Sequence, residues 1–245
     1  RQLGHQVSIR VCWDKTAYDV MIALHAWRSA DAISAFKTCY PQRPLIVAMT
    51  GTDLYRFIHT HAETTNHSIE LADRLVTLHH LAGRVLPPHV HNKISVIYQS
   101  AIPLSKPPQP SARHFNVCVA GHLREEKDAM RAAYAVRDLP PHSRIRILHY
   151  GKAHNEQWAT YATQEMRVNP RYHWYGEVPH WKLRQAYQRC HVMVLSSMME
   201  GGANVVSEAC VAGLPVIASY IDGSVGLLGE DYAGYYPVGE SAALR

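Results

Sequence analysis

Short apolar runs alternate with stretches of helical spacing along the whole chain. Val7–Cys12, Val20–Leu24, Leu45–Thr50, Leu75–Leu78 and Ser95–Tyr98 predict buried strands. Between them, residues 28–38 and 64–73 place apolar side chains at helical spacing, and 80–86 predicts a shorter helix. Strands that are apolar throughout, separated by helices, point to a parallel sheet covered on both faces. The pattern breaks at residues 105–113, SKPPQPSAR, where three prolines fall in nine residues. Proline cannot donate to a ladder and fixes φ, so this segment predicts a linker.

The alternation then restarts. Phe115–Ala120, Ile145–His149, His173–Gly176, Val192–Ser196 and Pro215–Ser219 predict strands, with helices over 128–138, 155–167, 180–190 and 204–212. The expected fold class is α/β: two doubly wound, Rossmann-like domains, 1–104 and 114–245, facing a cleft. Ligands of such sheets bind beyond the carboxyl ends of the strands, and candidate chemistry belongs there. The opening RQLGHQVSIRV reads as the end of a helix entering a strand, and the closing SAALR as the inside of a helix, so a fold truncated at both ends is expected.

Composition narrows this picture only slightly. Hydrophobic residues make up 47% and charged residues 18%, which suits a globular core. A formal charge of +5, scattered along the chain, fits phosphate-bearing small molecules better than nucleic acid. No apolar run approaches the roughly 20 residues a membrane span requires. The five cysteines are widely spaced with no C-x-x-C, which favours free thiols in a reducing, cytoplasmic setting.

The strongest chemical signal is Glu200-Gly-Gly-Ala-Asn-Val-Val-Ser-Glu208, set between a strand and a helix. Gly201 and Gly202 let backbone N–H groups approach an anion, and the helix start at Ala203 and Asn204 adds unpaired donors and a positive dipole end. Glu208 can accept two hydrogen bonds from a ribose diol, and Glu200 can hold a second polyol. A second signal, Ala120-Gly-His-Leu-Arg-Glu-Glu-Lys-Asp128, follows the first strand of the second domain. Its Arg124 and Lys127 could neutralise a diphosphate leaving group. In the first domain, Thr50-Gly-Thr-Asp-Leu-Tyr-Arg56 closes a strand. There Asp53 and Arg56 could bind an acceptor, or Thr52 or Asp53 is the N-cap that starts a short helix. His25, at another strand end, is a base, an acceptor ligand or an ordinary buried histidine. His79-His80 and His89-x-His91 lack companion ligands, and no metal site is expected.

E-x7-E on a strand-to-helix turn, a G-x-L-x-x-x-K loop and two doubly wound domains resemble the family 4 retaining glycosyltransferases of the GT-B fold. The resemblance implies that Glu208 binds the nucleotide ribose, Glu200 the donor sugar and Lys127 the diphosphate. It also implies uracil near Gly176–Val178, with diphosphate at Gly201–Asn204. Where the family carries arginine just after the loop glycine, this chain has His122, and Arg124 is the candidate to supply that charge. The strings TGTDLYR, AGHLREEKD, EGGANVVSEA and IDGSVGLLGEDYAGYYPVG are similar to the selenosugar synthases of selenoneine biosynthesis. This implies an enzyme that joins a UDP-sugar, typically UDP-N-acetylglucosamine, to selenophosphate; the mechanism expected for it needs no metal or cofactor, with His25 and Arg56 as candidate acceptor ligands. Three other readings stay open: another acceptor, a non-catalytic sugar-binding protein, and a glycoside hydrolase using Glu200 and Glu208 as its carboxylate pair.

Overall fold

The computed structural model describes residues 3–245. They form two compact units, divided between Ile97 and Tyr98. The helix end read at residues 1–2 lies outside the described residues.

The first unit is a four-stranded parallel sheet in the order β1 (Met21–Leu24), β2 (Leu45–Ala48), β3 (Arg74–Thr77) and β4 (Ile94–Val96). Helices α1 (Ala30–Cys39) and α3 (Ala62–Leu71) connect the first three strands. Successive right-handed crossovers in one direction set both helices on the same face. Ile33 of α1 and Ile69 of α3 therefore share one core with Ala23, Leu45, Val47 and Leu75. Ile22 and Leu24, pointing to the opposite face, are exposed. The expected covering of both faces thus holds for one face only among the described residues. A second difference lies at Val7–Cys12, which forms no strand, with Ile9 and Val11 exposed. β1 pairs with β2, and no ladder partner stands beside 7–12. A π-helical turn, Asp53–Phe57, leads into a short α2 (Ile58–Thr60).

The second unit is a six-stranded parallel sheet, ordered β10-β9-β8-β5-β6-β7. Its strands are β5 (Phe115–Ala120), β6 (Ile145–Tyr150), β7 (Tyr172–Trp174), β8 (Val192–Leu195), β9 (Val216–Ser219) and β10 (Tyr235–Tyr236). The chain winds outward from β5 to β7, then returns to β8 and winds the other way. That reversal sends α4 (Arg131–Ala135) and α5 (Glu156–Val168) to one face and α6 (His180–Arg189) and α7 (Asn204–Val211) to the other. Two cores result: Val117, Ile147 and Ala162 on one side, Cys118, Tyr187 and Val206 on the other. The reversal makes β5 and β8 neighbours and creates a switch point beyond their carboxyl ends.

Two sequence expectations change here. The 105–113 segment lies inside the second unit as a strap on α6, with Gln109 N–H donating to the Gln188 carbonyl at 2.7 Å. The helix expected over 128–138 starts only at Arg131, because Asp128 sits in the left-handed region at φ 40° and its carboxylate takes the Arg131 guanidinium. The glycine-rich stretch after β9 folds into α8 (Asp222–Leu228), ahead of β10 and a final α9 (Ser241–Leu244).

His149, fully buried in β6, binds the second sheet to the loop beyond β5. Its Nε2–H donates to the Gly121 carbonyl at 2.9 Å, so Nδ1 accepts from the Tyr172 hydroxyl at 2.7 Å. Burial pushes its pKa down to about 4. A histidine depressed below its unfolded value of about 6.5 adds stability that is complete above pH 6.5 and is lost as pH falls toward 4. Unfolding at pH 4.5 is therefore expected to need about 2–3 kcal/mol less than at pH 7.5 from this group alone. Denaturant midpoints across that range, compared with those of His149→Gln, check it: the variant should show a flatter profile.

Candidate functional site

The loops that follow β5 and β8 are sewn together at the switch point. The Ser196 hydroxyl, at the end of β8, donates to the carbonyls of Lys127 (3.2 Å) and Asp128 (2.8 Å). Met198 N–H donates to the Glu126 carbonyl at 2.8 Å. This stitching brings the two sequence signals, 73 residues apart, into contact: Lys127 Nζ lies 2.5 Å from Glu200 Oε1. The Ser197 hydroxyl donates to the same oxygen at 2.5 Å. Glu200 also has its backbone held close. A Cβ on Gly223 of α8 would lie 2.2 Å from the Glu200 carbonyl oxygen, so only glycine lets that helix start approach.

The second carboxylate is held from α6 and from within α7. Glu208 Oε1 takes the side-chain amide of Asn204 (2.8 Å) and His180 Nε2 (3.0 Å), and Oε2 takes the Tyr187 hydroxyl (2.9 Å). Burial, aided by neighbours that include Glu208, pushes the Tyr187 phenol up, keeping it a donor. Between the carboxylates Gly202 adopts φ 141°, a backbone open to glycine. Ala203 precedes α7 without a side-chain cap; the Val206 N–H folds back to the Ala203 carbonyl at 2.9 Å, and those of Asn204 and Val205 are left to an outside acceptor.

Other expected residues sit on the same edge of the sheet. His122 is exposed, and its Nδ1 accepts the Lys152 N–H at 3.0 Å. Arg124 Nε lies 3.9 Å from Glu126 and is buried without a hydrogen-bond partner. Gly176 turns the chain after β7 at φ 68°, its carbonyl accepting the Gly151 N–H at 2.8 Å, and Val178 is half-buried just before α6. Among the described residues no group of three or more His, Cys, Asp or Glu side chains gathers as a metal site. No described helix is long and apolar enough to cross a membrane.

In the first unit, His25 and Asp53 meet at the carboxyl ends of β1 and β2. Asp53, expected to touch an acceptor, is fully buried. Its oxygens take the Thr50 N–H (2.6 Å), the Thr50 hydroxyl (2.9 Å) and the Ala26 N–H (2.9 Å). It fixes one loop to the other, and no oxygen faces outward. His25 stands in the left-handed region at φ 77°. Its Nδ1 accepts the Arg28 N–H at 3.2 Å, so the proton is on Nε2 and is shared with Thr52 Oγ1 at 2.9 Å. Burial lowers its pKa, with Asp53 opposing that shift. Neutral and bonded at both nitrogens, His25 is a donor group rather than a ready base. Arg56 lies half-buried on the π-helical turn beside it.

The sequence gives no warning of Ser197, Tyr187 or His180, and it offers Thr52 as a helix cap, not as a partner of His25. Each acts across 3 to 28 residues through folded contacts. Only the proximity of Ser197 to Glu200 could have been noticed.

A family model described as glycosyl transferases group 1 matches residues 105–243, more than half of the chain. No curated protein matches it by sequence. Among solved structures, HepE of Anabaena in complex with UDP-glucose is similar at a TM-score of 0.74 and 20% identity, covering 93% of this chain and 67% of that one. Sucrose-phosphate synthase from Thermosynechococcus elongatus gives 0.72 and 18%, covering 93% and 62%. TarM of S. aureus gives 0.69 and 14%, covering 92% and 46%. The chain thus spans about two thirds of HepE and less of the other two, and at these identities the likeness is one of fold.

Proposed function

The chain belongs to the group 1 glycosyl transferases, and we propose that it moves the sugar of a UDP-sugar, UDP-N-acetylglucosamine, to selenophosphate. The observation that carries the donor half is the contact of Lys127 with Glu200 at the switch point, with Glu208 anchored one helical stretch away. A fixed cation, uncapped helix N–H groups and two held carboxylates match a diphosphate flanked by two polyols, a ribose and a sugar. HepE, which shares the fold, was solved with UDP-glucose.

In this reading Glu208 accepts the ribose hydroxyls. Lys127, Arg124 and the start of α7 offset the charge on the departing UDP, and Glu200 orients the sugar. The bond from the anomeric carbon to the phosphate oxygen breaks as one to selenium forms. Selenophosphate arrives as an anion and needs no strong base, consistent with His25 holding its proton on Nε2. The acceptor rests on the TGTDLYR, AGHLREEKD, EGGANVVSEA and IDGSVGLLGEDYAGYYPVG resemblance, with His25 and Arg56 as its ligands.

UDP release from UDP-N-acetylglucosamine, dependent on selenophosphate and accompanied by a product carrying selenium isotopes, tests the whole reading. UDP binding without that turnover would discard the acceptor and keep the donor. Glu208→Ala tests the donor half alone. Losing one charge-assisted hydrogen bond at about 1.5–3 kcal/mol raises the Kd for UDP about ten- to a hundredfold. An unchanged affinity by calorimetry would remove the ribose assignment.

A further inference from the structure

Two side chains with opposite tasks in donor binding, Lys127 and Glu200, are bound to each other. Nζ lies 2.5 Å from Oε1, and the side chains are only 19% and 10% exposed, so water screens the pair incompletely. The backbone on either side is pinned. The Ser219 hydroxyl donates to the Ser197 carbonyl at 2.5 Å, and the Ser196 hydroxyl reaches the Lys127 carbonyl. Gly223 presses against the Glu200 carbonyl, and Lys127 N–H is bonded to the Arg124 carbonyl at 3.1 Å. What can exchange is the side-chain contact itself. A diphosphate offers Lys127 several anionic oxygens, while Glu200 offers one that Ser197 already shares.

We propose that this ion pair is an exchange latch. A nucleoside diphosphate takes Lys127 from Glu200, and only then does Glu200 Oε1 become available to the hydroxyls of the donor sugar. Ser197, still bonded to Glu200, is the positioning residue that keeps the released carboxylate in place. The latch makes recognition of the sugar through Oε1 conditional on diphosphate recognition, so a free sugar meets a Glu200 whose Oε1 is already engaged. The inference rests on the donor-site reading above and adds an order of events to it.

The reading has an unusual consequence: removing a carboxylate from the site should tighten nucleotide binding. Calorimetry on the full chain would compare UDP with uridine, which lacks the diphosphate, for the wild type, Glu200→Gln and Glu208→Ala. Glu200→Gln should bind UDP about three- to tenfold more tightly, as expected for release of a partly screened ion pair, and leave uridine affinity unchanged. Glu208→Ala should weaken both ligands. If Glu200→Gln leaves UDP affinity unchanged or weaker while Glu208→Ala weakens both, the latch is overturned and the donor site stands. If Glu208→Ala has no effect on either ligand, the donor-site reading fails and the latch with it. Should Glu200→Gln not fold, Glu200→Asp decides. It keeps the charge but draws it back from Lys127 by one methylene; tighter UDP binding supports the latch, and unchanged binding overturns it.

Discussion

Replacing Lys127 with Met should lower kcat/KM by about a hundred- to a thousandfold, the range expected for loss of one fixed group that stabilises transition-state charge. Three features set the size of the effect. Lys127 is the cation held against Glu200, and the loop that carries it is stitched to the end of β8. Its position is therefore fixed by the sheet order, and the charge costs little to reorganise when the leaving group departs. Methionine keeps the apolar stem, so what is lost is the charge rather than packing. Arginine would not restore function fully, because a planar fork cannot take the place of a compact ammonium beside Ser197 and Glu200. Part of the loss will appear as stability, since Glu200 is left buried beside Ser197 without its cation. Steady-state UDP release, with thermal melts alongside, separates the two. Arg124→Met is the comparison: Arg124 Nε stands 3.9 Å from Glu126, and a smaller loss is expected. A Lys127→Met loss below about fivefold would remove this lysine from the transition state.

The turn bracketed by Glu200 and Glu208 could be read from the sequence because its parts are local. A strand ending at Leu195, two glycines and a helix beginning at Asn204 lie within one short stretch, and Glu200 and Glu208 bracket it. That Lys127 belongs beside them required only the rule that β5 and the strand after the reversal become neighbours. The supports of the carboxylates follow no such rule. Tyr187 reaches Glu208 because α6 and α7 cover the same face, and Ser197 turns inward because Ser219 holds its carbonyl. Spacing along the chain does not encode those choices.

The misreadings have physical causes of the same kind. Val7–Cys12 has the alternation of a strand, but an extended segment becomes a strand only with a ladder partner. The prolines of 105–113 do exclude helix and strand, yet they leave carbonyls and N–H groups that α6 can bind. In the stretch from Asp222 to Gly229 the glycines lower helix propensity. Gly223 is instead the condition for α8 to start against Glu200, a packing demand that a propensity scale counts as a penalty.

Asp53→Ala is expected to destabilise the protein by about 3–5 kcal/mol. The sequence offered two readings of this residue, an acceptor ligand or part of a helix start, and the carboxylate is committed to neither alone. It is fully buried and accepts two backbone N–H groups and a hydroxyl from two different loops. Alanine leaves the Ala26 and Thr50 N–H groups without partners in the interior, each at about 1–3 kcal/mol. It also frees His25, whose φ of 77° is a conformation that a non-glycine residue keeps only under constraint. Asp53→Asn is the sharper variant. Its oxygen can serve the Thr50 N–H, but its amide must then face the Ala26 N–H, donor against donor. With size preserved, the expected loss of stability is smaller while His25 is still displaced, so the KM for the acceptor should rise more than kcat falls. Denaturant midpoints and acceptor kinetics on both variants distinguish the roles. If Asp53→Asn unfolds like the wild type and loses turnover with the acceptor KM unchanged, the carboxylate acts in the chemistry itself, and its burial would then have to open during the reaction.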